Sequence, residues 1–174
     1  VSDHPSLAPI RAPQLREFAQ YWLDCRRGAS SVTRRADFDI LQLRGLLPHV
    51  YLYDFNAEDR SFTLRVAGEE IRRMLPNSMP GTQLDQIIPS AFFETVQQRY
   101  RRVCEEPAAM HAIGRVFLNL GGTGVGERVI LPLANERGAI HQMVGATLYQ
   151  LGSHLDQGGA FQSEEVSLTF TPLA

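Results

Sequence analysis

Residues 49–67 read HVYLYDFNAEDRSFTLRVA, and the reading of that stretch decides the fold. His49 to Phe55 is rich in Val and Tyr, residue types that suit a pleated, half-buried surface. Ser61 to Ala67 alternates Phe62, Leu64 and Val66 with Thr63 and Arg65, the period of two expected of a strand. Between them, Asn56 to Arg60 has the polarity of a hairpin loop. A strand hairpin therefore stands early in the chain, ahead of any long helix but one.

That helix is Pro13 to Arg27, where Leu15, Phe18, Ala19, Trp22 and Cys25 recur at helical spacing. Pro13 suits a first turn and Gly28 an end. A short apolar pattern over Asp37 to Leu47 is stopped by Pro48. Downstream of the hairpin, short helical stretches fall at Gly68 to Leu75 and Leu84 to Ile88, and a longer one at Ala91 to Glu105. Three strand-like runs follow: Met110 to Leu120, Glu127 to Ala134 and Ile140 to Leu151. Their links, Gly121 to Gly126 and Asn135 to Gly138, are made of turn residues.

The pattern predicts an α+β fold with a five-stranded antiparallel sheet, because hairpins join consecutive strands. Helices lie across one face. The N-terminal amphipathic helix packs either on the sheet or on a dimer partner, through Leu15, Phe18 and Trp22. Residues 1–12 read as a loose arm and 13–151 as the domain. Residues 152–174 read as a C-terminal extension, in which alternating Val166, Leu168 and Phe170 mark an edge strand.

Composition sets limits. The 174 residues are 44% hydrophobic with a net charge of −2, enough for one core without disulfide or metal staples. All 17 basic residues are arginine. Without lysine, Schiff-base chemistry and Walker-type phosphate binding are excluded. Cys25 and Cys104 lie in separate helical patterns and read as buried thiols in a reducing cytoplasm. No apolar run is long enough to cross a bilayer, and the N-terminus lacks a signal-like segment.

The candidate motifs mostly have plain readings. Gly121 to Gly126 links strand to strand, whereas a phosphate-cradling loop runs from strand into helix. The histidines at 4, 49, 111, 141 and 154 share no metal-ligand spacing. Arg99, Arg101 and Arg102 stand among Glu94, Glu105 and Glu106, so charge pairing accounts for them and nucleic acid is not an expected partner. No nucleophile elbow, HExxH pair or phosphoacceptor box is present. Arg65 and Arg115 each interrupt an apolar strand. Such a charge must face water, a carboxylate such as Asp54, or an anionic ligand.

Several pieces carry a resemblance. They are Tyr21–Trp22 with Arg27–Gly28, RADFDILQLRGLLPHVYLYDF from Arg35 to Phe55, FTLRVAG from Phe62, GTQLDQI from Gly81, and ERVILPLA from Glu127. In order and spacing they resemble the short stand-alone PAS-like proteins of alphaproteobacteria, over residues 14 to 150. The resemblance implies a non-enzymatic sensory or protein-interaction module, often dimeric, with a cavity between sheet and helices. His49, Tyr51, Tyr53, Arg65, Arg115, Phe117, Met143 and Tyr149 are the candidates to line it. The expected partners are a small-molecule ligand, a second copy of the chain and a signalling protein; no metal or membrane insertion is indicated, and a cofactor is left open. The competing readings are a small enzyme on a cone-shaped α+β scaffold and a ligand-free structural dimer.

Overall fold

The computed structural model describes residues 4–28, 30–117, 124–151 and 166–173. Helix α1 (Pro13–Asp24) is followed by three short 3-10 turns and the hairpin β1 (Val50–Asn56) and β2 (Ser61–Ala67). Helices α2 (Glu69–Met74), α3 (Leu84–Ile87) and α4 (Ser90–Glu105) come next. Strands β3 (Ala108–Phe117), β4 (Gly124–Ala134), β5 (Ile140–Leu151) and β6 (Val166–Pro172) complete the order. The apolar pattern expected as one element over Asp37 to Leu47 resolves into 3-10 turns at Arg35–Asp37 and Ile40–Gln42, with a third at Leu47–His49.

One sheet holds six strands in the order β2-β1-β5-β4-β3-β6. The early hairpin joins the late strands through β1 and β5, antiparallel from Val50↔Ala146 to Asp54↔Gln142. Five strands were expected in the domain itself; the sixth, β6, is the edge strand read in the C-terminal extension, and it pairs with β3 from Ala108↔Pro172 to Gly114↔Val166. The glycine-rich link does join antiparallel β3 and β4, but residues 118–123 lie outside the described residues.

Both faces of the sheet are covered. Residues 50–53 of β1 are all buried, because alternate side chains enter different cores. Val50, Leu52, Val129, Leu131 and Val144 pack with Leu15, Phe18, Ala19 and Trp22 of α1. Tyr51, Tyr53, Ile130 and Met143 pack with Ile71, Leu84, Tyr100 and Val103 from α2, α3 and α4.

The N-terminal helix lies on its own sheet. Leu15, Phe18 and Trp22 are each 0% exposed, and the Trp22 indole donates to the Pro132 carbonyl at 3.0 Å. Pro132 has no N–H to give the ladder. These three residues were candidates for a dimer interface; their burial inside one chain removes them from that role. The outward residues of α1 are Pro13, Gln14, Glu17 and Asp24, too polar for an apolar seam.

The expected loose arm is also tied down from residue 4 onward. Leu7 and Ile10 are buried in the α1-side core. The buried Glu127 carboxylate accepts the Arg11 and Ala12 amides, both at 2.7 Å, and the His111 ring N–H at 2.6 Å. Burial pushes this carboxyl up, but the Arg11 amide, His111 and the Ala12 amide outweigh it and hold it below its usual 4.5.

Candidate functional site

Polar chemistry collects on the α2–α4 side of the sheet, where an apolar core would be expected. Tyr51 and Tyr53 enter from β1, Tyr100 descends from α4, and all three are buried. Their rings make an edge-on chain, Tyr51 to Tyr53 at 6.0 Å and Tyr53 to Tyr100 at 5.8 Å, the offset geometry aromatic quadrupoles favour. Gly145 makes the arrangement sterically feasible. It pairs with Tyr51 across β1 and β5, and a Cβ at 145 would stand 2.3 Å from Tyr51 Cζ. The phenol therefore lies across β5 toward β4.

Arg128 of β4 is half-buried there. Its Nε donates to Thr147 Oγ1 at 2.8 Å and its Nη2 to the Val116 carbonyl at 2.8 Å. Arg128 and Thr147 are register partners, so sheet geometry fixes the guanidinium plane. Burial pushes the Tyr51 and Tyr53 phenols well up and raises that of Tyr100, and the Arg128 charge partly offsets this at each. The Tyr51 hydroxyl is buried with no hydrogen-bond partner. Tyr100 and Thr147 are its polar neighbours. Arg99 of α4 is half-buried; burial lowers its affinity for a proton, and neighbouring Arg128 lowers it further.

A second polar group flanks this one at α2. The Tyr149 hydroxyl donates to the Glu70 carboxylate at 2.7 Å, and burial together with that carboxylate pushes the phenol up to about 12. His49 meets the Tyr149 ring edge-on at 6.3 Å. Its Nδ1 lies 3.1 Å from the Thr147 carbonyl, which can only accept, so that nitrogen carries the proton.

The sequence candidates divide on this geometry. Tyr51, Tyr53, Met143 and Tyr149 belong to the α2–α4 side, and His49 borders it. Arg65 does not. It lies on the opposite face, 55% exposed and ion-paired with Asp54, whose other oxygen accepts Gln142 Nε2 at 2.7 Å. Arg115 alternates with Val116, which is in the α2–α4 core, so it is directed to the other face. Phe117 ends β3, and its side chain lies outside the described residues. Sequence reading missed Tyr100, Arg128, Thr147 and Arg99. Arg128 interrupts the apolar run ERVILPLA in the same way that Arg65 interrupts its strand; the signal was present there too.

Two strands, short helices, a longer helix and a final set of strands build a sheet covered on both faces, with a polar group on one of them. The family model described as a PAS domain matches residues 10–148. The chain belongs to the PAS domain family. No curated protein matches it. PAS domains are in general sensory modules rather than enzymes, and many bind ligands or other proteins. In this PAS domain no group of three or more His, Cys, Asp or Glu converges as for a metal, among the described residues. Nor, among those residues, is any helix long and apolar enough to cross a membrane. Cys104 is buried, which pushes its thiol well up and makes it a poor nucleophile.

Proposed function

We propose that this PAS domain is a non-enzymatic bacterial sensory module that takes a small molecule between the sheet and helices α2–α4. It acts in the cytoplasm as a homodimer and passes its state to a signalling partner by protein contact. The observation that carries this reading is the buried Tyr51 hydroxyl, left without a partner beside a half-buried guanidinium. A buried polar atom with no partner costs about 1–3 kcal/mol, a cost that a bound acceptor would remove. A ligand that binds this interior better in one arrangement of α4 than another would shift the population between them.

Native mass spectrometry of the purified full chain tests the reading. The expected spectrum shows a folded species heavier than the denatured chain by the mass of a small molecule. Equal masses, together with no small molecule that raises the unfolding temperature, would refute it. Light scattering tests the dimer separately, and a monomer at all concentrations would remove that element.

A further inference from the structure

Resting on the homodimer element of the reading above, we propose that two copies of the chain meet along the outer edge of β6. The two β6 strands pair antiparallel about a two-fold axis, and two six-stranded sheets become one continuous sheet.

The sheet has two edges, β2 and β6, and they are finished differently. The β2 edge is capped from within the chain. The Leu64 amide donates to the Thr82 carbonyl at 3.0 Å, and the Leu64 carbonyl accepts the Gly81 amide at 2.7 Å. Beyond β6 no further strand pairs, among the described residues. The Leu173 amide donates to the Pro107 carbonyl at 3.1 Å, in the register that sets Pro172 against Ala108. Bonded and non-bonded pairs alternate in an antiparallel ladder, so Ser167, Thr169 and Thr171 turn their backbone groups toward β3. Those of Val166, Leu168 and Phe170 turn outward, a template for another strand.

Charges and bulges are the usual guards of such an edge. Val166–Pro172 reads VSLTFTP, without a charge, and its pairing with β3 has no register shift. The same features make the strand complementary to itself. Because apolar and hydroxyl residues alternate strictly, an antiparallel copy sets apolar against apolar and hydroxyl against hydroxyl. With Leu168 opposite its own copy, Val166 meets Phe170 and Ser167 meets Thr169, both favourable kinds of cross-strand pair. Pro172, which has no N–H to offer, lies beyond these pairs. Leu168 and Phe170 pack half-buried against the α2–α4 core, and the Arg102 guanidinium sits 4.2 Å from the Phe170 ring. Pairing would cover apolar surface that one copy leaves half open. No charge on β6 selects a foreign strand, and a second copy matches it position by position.

The test is sedimentation and light scattering of the full chain over a range of concentrations. Wild type should be a dimer that dissociates on dilution. Ser167→Lys with Thr169→Lys sets like charges opposite each other twice and should weaken self-association about 2- to 30-fold. Ser167→Glu with Thr169→Glu should do the same. Mixing the two variants should restore the dimer, because each lysine then meets a glutamate. Both positions are exposed, so near-ultraviolet dichroism should find the variants native. Leu168→Pro removes an outward N–H and no bond to β3; losing two backbone bonds across the axis should weaken the dimer about 5- to 150-fold.

A wild-type dimer that all three variants leave intact would put the contact elsewhere; the dimer reading would stand and the β6 edge would fall. Weakening by both charged variants without rescue on mixing would also overturn the edge. A monomer at every concentration would remove both, and protection of the Leu168 and Phe170 amides from hydrogen exchange in that monomer would show the edge covered by its own chain.

Discussion

The two faces of the sheet treat buried polarity in opposite ways. On the α1 side the Glu127 carboxylate is surrounded by three donors, from Arg11, Ala12 and His111, and the Trp22 indole has its carbonyl. On the α2–α4 side a Tyr51 hydroxyl is buried without a partner, and two arginines stand near each other. The Glu127 carboxylate is thus met by three donors, and the Tyr51 hydroxyl on the other face by none. A satisfied network gives a unique arrangement, whereas a half-satisfied one destabilises the core that holds it. On the proposed reading the α1 side is the closed one and the α2–α4 side the open one.

The largest expected effect falls on the closed side. Trp22→Ala removes a side chain that is 0% exposed and should cost about 3–5 kcal/mol in urea unfolding. It should leave the oligomeric state of the folded protein unchanged, because Trp22 does not reach the surface. A loss under about 1 kcal/mol, outside the range for a buried Trp, would mean that α1 is not an integral layer, and the comparison would break.

Glu127→Ala comes next. Removing the carboxylate leaves the Arg11, Ala12 and His111 N–H groups without their acceptor, a cost of about 1–3 kcal/mol for each such buried donor, and it would release the amides that lead into α1. The pH dependence has a definite sign. The folded-state pKa lies below the usual 4.5, so the contribution is fully present above that value and drains as pH falls through the lower one. Melting temperatures should show wild type and Glu127→Gln converging on acidification and parting above about pH 5. A gap that widens toward acid would show the carboxylate to be destabilising where it sits.

Gly145→Ala probes the open side at smaller scale. The added methyl meets the Tyr51 ring at 2.3 Å, and forced repacking of this kind costs about 1–3 kcal/mol. The nuclear magnetic resonance signals of Tyr51 should shift with it. Unshifted signals would mean that the ring does not lie across β5.

These contrasts mark what the sequence could and could not tell. β2 was legible because only Phe62 and Leu64 of its alternating set are buried, as a half-covered edge strand requires. β1 was not assignable to a face, since residues 50–53 are buried on both sides. The stripe on α1 announced burial but not its partner; an amphipathic helix has the same pattern against its own sheet or another chain's. Arg65, Arg115 and Arg128 gave one shared signal, a charge in an apolar strand. Only the register separates them, and it includes irregularities at Leu52/Tyr53 and Arg115/Phe117. The tie of Glu127 to Arg11 spans 116 positions, a pairing that no local pattern encodes.

The smallest effect has the most informative sign. On the closed side the Thr33 hydroxyl, 0% exposed, donates to the Trp22 carbonyl at 2.5 Å. Thr33→Val should therefore cost about 1 kcal/mol, the net worth of a buried hydrogen bond. Tyr51→Phe removes a hydroxyl that is equally buried but bonded to nothing. The desolvation cost it carries disappears with it, so the ligand-free chain should gain up to about 1 kcal/mol. Paired urea unfolding of the two variants would show opposite signs. If Tyr51→Phe destabilises as Thr33→Val does, the phenol has found a partner in the resting protein, and the two faces are alike after all.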